Sequence, residues 1–592
     1  MHQVATVASS HLTRGAMRLA LLALGAAAVI LPGTGQANDF CPDIYKAGTL
    51  PLNFNPAFMH VDSFNAPNGS SYDGLVITSF FNAIKNSAGT SSVAFFQRDL
   101  VARITGIGYR SPSWFNATRD TEILTDLELS PITTPLPLES ALPVSSGPGQ
   151  QVWPNEAQRV PDGILPFEAI VSPQGFHPTP QPGRLTLINL DDPARTEYLI
   201  DQSPQAGGAC TFDQTNANYN PQQQPRFYHL VKWFDFDGDG LKDAITVRSS
   251  FKVSGAFCID GAGEVVWFKN PGGAIDPNTP WEENVVSGFP NYQAADISLD
   301  VADLEGDGVP EIVGGNFFSG SMVTLYGAPV GESWVGVDPA TNPPRYAQIS
   351  TDQDEVFQAS FADLNRDGKM DVLATNHITD NCFRRTGGCT GSKCAVPTGP
   401  GRVYALEQPA NGDIFGSPWI THVLKDNIRP NPTYPTPPNA QTGDPDPPGP
   451  GRLAPGLAQV FWPAPWDEHF YRPWILVSGD EASKVWLLKP NDRNPGSSDW
   501  TYSSSVIFDI NDTYGANTTQ SFSAPAPATG VSISTIGGPA WRYDRDWAWG
   551  SYAEIYIPVF EGRDVHRITF RPRSASQKIV CPADGALACP VF

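Results

Sequence analysis

Short apolar runs bounded by glycine, proline, asparagine and aspartate recur along this chain in groups of four, a pattern of strands rather than helices. In the best-defined groups a first run, such as Tyr228 to Phe234 or Ser298 to Ala302, leads into an acidic loop. A second run follows each loop: Ala244-Ile245-Thr246-Val247, Ile312-Val313-Gly314-Gly315 and Val372-Leu373-Ala374-Thr375. A third reads Glu264 to Pro271, Met322 to Tyr326 and Arg402 to Leu406; a fourth reads Trp281 to Val286, Tyr346 to Ile349 and Trp419 to Leu424. The order repeats more weakly elsewhere. Leu75 to Ser79 follows a degenerate Asp62–Asp73 loop, and Ile164 to Val171, Arg184 to Leu190 and Glu197 to Ile200 make a second set. Trp474 to Ser478, Lys484 to Leu488 and Ser503 to Phe508 make another, and Val531 to Ile536, Glu554 to Val559 and Val565 to Phe570 the last. Four short strands per repeat is the pattern of a propeller blade. The count predicts an all-β, seven-bladed β-propeller, with six or eight blades as the alternatives.

The acidic loops are alike. They begin at Asp235, Asp303 and Asp363, 68 and 60 residues apart. Oxygen-bearing side chains recur at positions 1, 3, 5 and 9: Asp235, Asp237, Asp239 and Asp243; Asp303, Glu305, Asp307 and Glu311; Asp363, Asn365, Asp367 and Asp371. Such a set suits a hard cation, Ca²⁺ above all, with position 7 (Leu241, Val309, Lys369) lending only its backbone carbonyl. Glycine at position 6 permits the sharp turn. A helical EF-hand is disfavoured, because position 12 is Thr246, Gly314 and Ala374 and the flanks are strand-like. About three calcium ions are expected, each stapling its own blade.

Composition adds compartment and partners. Arg14 and Arg18 precede an apolar stretch from Leu19 to Leu31, and Gly35-Gln36-Ala37 offers small residues for cleavage. Residues 1–37 are therefore read as a signal peptide, leaving one propeller domain over 38–592, secreted or periplasmic and without membrane insertion. A net charge of −23 argues against nucleic acid as a partner. Eight cysteines, an even number, suit disulfides in an exported chain. Cys382, Cys389 and Cys394 share one loop, and a bridge from Cys41 to Cys581 or Cys589 would tie the ends together. A monomer is expected.

The acidic loop before a strand, followed by Val265-Val266-Trp267-Phe268-Lys269-Asn270-Pro271-Gly272-Gly273 and a Trp-led fourth strand, resembles the FG-GAP/VCBS repeat family of secreted propellers, related in shape to integrin α-chain heads. The resemblance covers about 227–424. It implies the fold and calcium; for function it leaves adhesins, lectins, polysaccharide lyases and sugar dehydratases open.

Topology sorts the candidate chemistry by face. Metal loops join first to second strands on one face. Second-to-third connections and blade-to-blade connections share the other, and the long insertions near 127–161, 203–225, 425–456 and 513–529 fall there as walls. On that face Phe317, Phe318, His377, Arg385 and Asp480 mark strand ends, suited to a sugar or a peptide. As strand-end residues, Phe317, Phe318, His377 and Arg385 are each expected to tolerate alanine without loss of the fold. The metal face offers a second platform, with aromatic stretches 462–471 and 541–549, including Trp466 and Trp547, in place of acidic loops; a hydrophobic plug replacing calcium is the competing reading. No Gly-x-Ser-x-Gly elbow, His-Glu-x-x-His pair or phosphate loop is present. His60, His229, His377 and His469 are the residues from which a lyase-type site would be built. The expectation is a non-catalytic module for a glycan or extracellular protein, with a lyase or dehydratase as the alternative.

Overall fold

The computed structural model describes residues 43–52, 54–65, 69, 71–79, 98–105, 107, 121–128, 153–175, 183–203, 226–254, 258–273, 275–288, 294–317, 322–329, 333–350, 355–379, 401–431, 453–465, 467–515, 519–521, 530–532, 535–543 and 552–571. Seven antiparallel four-stranded sheets form the blades. From the axis outward, blade 1 is Met59–Asn65, Ser71–Ser79, Arg98–Thr105 and Thr121–Glu128. Blade 2 is Gln158–Arg159, Ala169–Pro173, Arg184–Asn189 and Glu197–Gln202. Blade 3 is Arg226–Phe234, Asp243–Ser254, Cys258–Lys269 and Glu282–Ser287. Blade 4 is Ser298–Ala302, Glu311–Gly315, Val323–Gly327 and Arg345–Ser350. Blade 5 is Val356–Ala362, Asp371–Asn376, Gly401–Glu407 and Ile420–Ile428. Blade 6 is Ala458–Phe461, Trp474–Ser478, Lys484–Pro490 and Tyr502–Asp509.

Blade 7 takes three strands from the end of the chain, Ala540–Tyr543, Ala553–Val559 and Asp564–Arg571, and its outermost strand, Asp43–Pro51, from the beginning. The two ends of the chain thus zip the ring shut, with Asp43 opposite Arg571 and Pro51 opposite Asp564. Thr49 Oγ1 lies 3.0 Å from His566 Nδ1, a polar tie across that seam. The sequence reading had placed Val531 to Ile536 as the first strand of this blade. Residues 530–532 instead pair with 519–521 in a separate ribbon. The inner strand begins only after Gly537 and Gly538, where backbone meets backbone at the seam with blade 1: a Cβ on Gly537 would lie 1.8 Å from Ala57 O.

Packing explains why the middle strands read as unbroken apolar runs. Blades stack face to face, so both faces of a second strand are buried, and Leu75, Val76 and Ile77 are all solvent-free, as are Ile475, Leu476 and Val477. Seven buried apolar clusters lie one at each blade interface among the described residues. Outer strands alternate instead, with Tyr346 and Ile420 facing solvent. All four anticipated insertions fall between a fourth strand and the next first strand. Most of their interiors lie outside the described residues, as do residues 1–37 and every anticipated disulfide partner. No described helix is long and apolar enough to cross a membrane.

Leu50, 1 % exposed, carries the closing strand's packing into the interface of blades 7 and 1. Leu50→Ala should lower unfolding stability by about 2–5 kcal/mol. Thr49→Ala should lower it by about 1 kcal/mol. Chemical denaturation of the two variants checks the order.

Candidate functional site

Each acidic loop is wound by its own carboxylates. Asp235 Oδ1 and Oδ2 accept from Gly238 N (2.7 Å) and Gly240 N (2.9 Å). Asp303 does the same for Gly306 N (2.7 Å) and Gly308 N (2.9 Å), and Asp363 accepts from Asp367 N and Gly368 N, both at 3.1 Å. Position 5 accepts from position 7 in all three, at 2.9 Å from Leu241, Val309 and Lys369. Position 6 has the expected positive φ: 89° at Gly240, 86° at Gly308 and 90° at Gly368. Position 4 has it as well, at Gly238, Gly306 and Arg366.

In blade 3 the carboxylates at positions 1, 3 and 5 could hold a cation. Asp235, Asp237 and Asp239 bring one oxygen each within 4.8 Å of one another. Position 9 has an additional task that spacing did not reveal. Its carboxylate accepts from the N–H of position 2 in every loop: Asp243 from Phe236 (2.9 Å), Glu311 from Leu304 (2.8 Å) and Asp371 from Leu364 (3.0 Å). Asp243 and Asp371 also accept from Asn270 N (2.8 Å) and Gln408 N (3.1 Å) at the end of the third strand. These carboxylates lock loop to sheet. Burial pushes Asp243 up to about 6, and Glu311 and Asp371 up to about 7.

Of the aromatic stretches on the metal face, the described Trp462, Tyr471, Trp541 and Tyr543 are partly buried by neighbours, while Phe470 is 64 % exposed. Trp462 Nε1 donates to Tyr471 O at 3.0 Å, Arg366 lies over Trp462, and Arg493 covers Tyr471 at 4.0 Å. Trp541 and Tyr543 belong to the innermost strand of blade 7 and pack against the cluster between blades 6 and 7. Trp466 and Trp547 lie outside the described residues. His469 sits in the short Asp467–Phe470 helix on this face, away from the other three candidate histidines.

Those three gather on the walled face. Phe58 meets His229 edge-on at 5.4 Å, His229 meets Phe357 at 6.0 Å, and Phe357 stacks on His377 at 4.5 Å. Phe58, His229 and Phe357 come from blades 1, 3 and 5. Rings from non-neighbouring blades can touch only across the axis, so these side chains meet there. Glu156, just ahead of blade 2, lies 3.3 Å from His229 Nδ1 and 3.9 Å from His60 Nε2. Burial alone would raise the Glu156 carboxyl, but His229, His60 and Lys232 outweigh it and hold it below the usual range.

Phe317 and His377 meet at 5.5 Å, and His377 Nε2 lies 3.8 Å from Asp480 Oδ2. Three of the sequence-selected residues therefore converge; Phe318 and Arg385 lie outside the described residues. Their character differs from expectation. His377 is fully buried and Phe317 is 8 % exposed, so neither is the dispensable rim residue anticipated. His377 Nδ1 faces Pro455 O at 2.6 Å, and a carbonyl only accepts, so Nδ1 carries the proton. Burial pushes His377 down to about 4, keeping it neutral. Burial, with Glu561 adding repulsion, pushes Asp480 well above the carboxylate range, although 22 % of its side chain meets solvent. Phe58, Phe357 and Glu156 were missed because each looks like an ordinary strand or loop residue.

No known protein family and no curated protein matches the sequence. Among solved structures the chain is similar to an α-L-arabinanase from Cellvibrio cellulosa, at 13 % identity and a TM-score of 0.28 over 57 % of this chain and 92 % of that one. It is also similar to the N-terminal domain of Nup159, at 9 % identity and a TM-score of 0.38 over 91 % and 98 %. Overlaps this low carry no functional reading.

Removing the lock should be measurable without metal. Asp371→Ala leaves two backbone N–H groups without their acceptor and should destabilise by about 1–3 kcal/mol per group. Thermal melting in excess chelator checks it, since a residue that served only a metal would leave that curve unchanged.

Proposed function

We propose that this protein is an exported, calcium-stapled propeller of the FG-GAP/VCBS kind that binds a glycan or an extracellular protein segment at the walled mouth of its channel, without catalysis. The observation that carries the reading is the convergence there of Phe58, Phe357, Phe317, His377, Glu156 and Asp480. Aromatic faces beside carboxylates and imidazoles are what a sugar ring needs for stacking and directional hydrogen bonds. Secretion rests on the apolar N-terminal stretch and the even cysteine count. Calcium rests on the three alike loops and on Asp235, Asp237 and Asp239, whose oxygens converge in blade 3.

A second reading is supported by one specific feature. The proton affinity of Glu156 is lowered between two histidines while burial raises that of Asp480, beside His377. Opposed proton affinities in one mouth are what acid–base chemistry requires, as in a polysaccharide lyase or dehydratase on the same scaffold.

A glycan array followed by an activity assay on each positive separates the two. Binding should fall at least tenfold in Phe357→Ala and Asp480→Asn, with no turnover by the unaltered protein. Turnover lost in Glu156→Gln would establish the second reading instead, and undiminished binding in both variants would remove the mouth from consideration. Excess chelator should lower the thermal midpoint, and an unchanged melting curve would remove calcium.

A further inference from the structure

Among the oxygen-bearing positions 1, 3, 5 and 9 the acidic loops differ in charge only at position 3, and a basic side chain from the third or fourth strand follows that difference. Position 3 is Asp237 in blade 3, Glu305 in blade 4 and the neutral Asn365 in blade 5. In blade 3, Lys269 at the end of the third strand pairs with Asp237 and lies 3.0 Å from Asp239. In blade 4 the same register position is Gly327, since Phe268 and Tyr326 hold equivalent places opposite Ala244 and Ile312. Arg345 from the fourth strand shares that space with the Phe415 ring it covers: a Cβ on Gly327 would lie 2.5 Å from Phe415 Cζ and 3.0 Å from Arg345 Nη2. Arg345 pairs with Glu305 and lies 3.5 Å from Glu311. In blade 5 the register position is Glu407, which binds His422 Nε2 at 2.7 Å. There the nearby basic residues turn elsewhere, Lys369 Nζ to Ala410 O at 2.9 Å and Arg366 over Trp462.

Two different residue types, from two different strands, thus reach the one oxygen-bearing position whose charge varies. Positions 1, 3 and 5 hold three carboxylates and one cation in blades 3 and 4, and two carboxylates with no cation in blade 5. Each set is left with a formal charge of −2. Position 9 adds one acid in every blade and leaves the comparison unchanged.

We propose that Lys269 and Arg345 are charge-setting residues that tune their loops to one divalent cation. The inference rests on the calcium reading above. Without Lys269 the blade 3 loop would hold three mutually repelling carboxylates when empty, and would favour a trivalent ion over a divalent one. The extra unit charge acts at contact distance, where each unit of ion charge contributes about 1 kcal/mol even in water.

The test uses the full-length protein, Ca²⁺ and Tb³⁺, and three variants: Lys269→Met, Asn365→Asp and the double variant Asp237→Asn with Lys269→Met. In chelator, the two single variants should melt below the unaltered protein and the double variant should recover. In terbium–calcium competition, one site in each single variant should gain about fivefold or more in preference for terbium, and the double variant should not. Unaltered melting and unaltered preference in both single variants would overturn charge setting while leaving calcium binding intact. If the unaltered protein takes up neither ion, the calcium reading and the proposed tuning fail together. A recovered melt in the double variant would then establish Lys269 only as relief for a crowded acidic loop.

Discussion

The ring depends on what happens at its axis. Innermost strands of neighbouring blades splay apart, so no backbone ladder can run between them, and their amides would be left without partners. Polar side chains bridge the gap one junction at a time. Asp62 accepts from Arg159 N (3.1 Å), joining blades 1 and 2, and Gln158 reaches Val231 O, joining 2 and 3. Lys232 and Asp300 pair at 3.2 Å between 3 and 4, and Asp300 also accepts from Phe361 N (2.9 Å) in blade 5. Gln358 donates to Ala458 O at 2.7 Å, and Gln459 to Pro539 O at 3.0 Å. Backbone joins blades 7 and 1 where Gly537 and Gly538 allow close approach, with Gly538 N donating to Ala57 O at 2.8 Å, and Arg542 of blade 7 adds an ion pair to Asp73 of blade 1. Each bridge contributes about 1 kcal/mol net, but leaving its buried partner unmade would cost more.

The candidate site grows out of the same strands. Phe357 stands beside the bridge Gln358, His60 is two residues from Asp62, and Glu156 two from Gln158. Residues that hold the ring and residues that face the mouth therefore share each strand's inner end. Rigid placement of the aromatic rings follows without a dedicated scaffold. The oxygen-bearing positions of the acidic loops obey a comparable economy, position 3 varying in charge and a strand side chain answering it in blades 3 and 4.

Much of this was legible in the sequence for a physical reason. Both faces of a middle strand are buried, so it must be apolar throughout, and a sharply turning acidic loop must keep its glycine and its oxygens. Blade count and the face carrying Phe317, His377 and Asp480 followed from those two signals. Other features were not legible because their signals are not local. Asp43–Pro51 includes Lys46 and Gly48 and earns its strand only by pairing with residues more than 500 positions away. Gln158, Gln358 and Gln459 look like any surface glutamines until the neighbouring blade is in place. Burial of His377 depends on Pro455 and Phe357, from other parts of the chain. The lock at position 9 resembles a metal ligand because both tasks call for the same carboxylate.

Hydrogen exchange at the axis tests the account most directly. The amides of Arg159, Phe361 and Ala458 donate to side chains of the preceding blade, at 3.1, 2.9 and 2.5 Å. If those bridges hold the ring, these three amides should exchange as slowly as the buried ladder amides of Val76 and Leu476, opening only with global unfolding. Exchange at the pace of exposed loop amides, with the ladder still protected, would show that the axis opens independently and that the bridges do not hold the propeller closed.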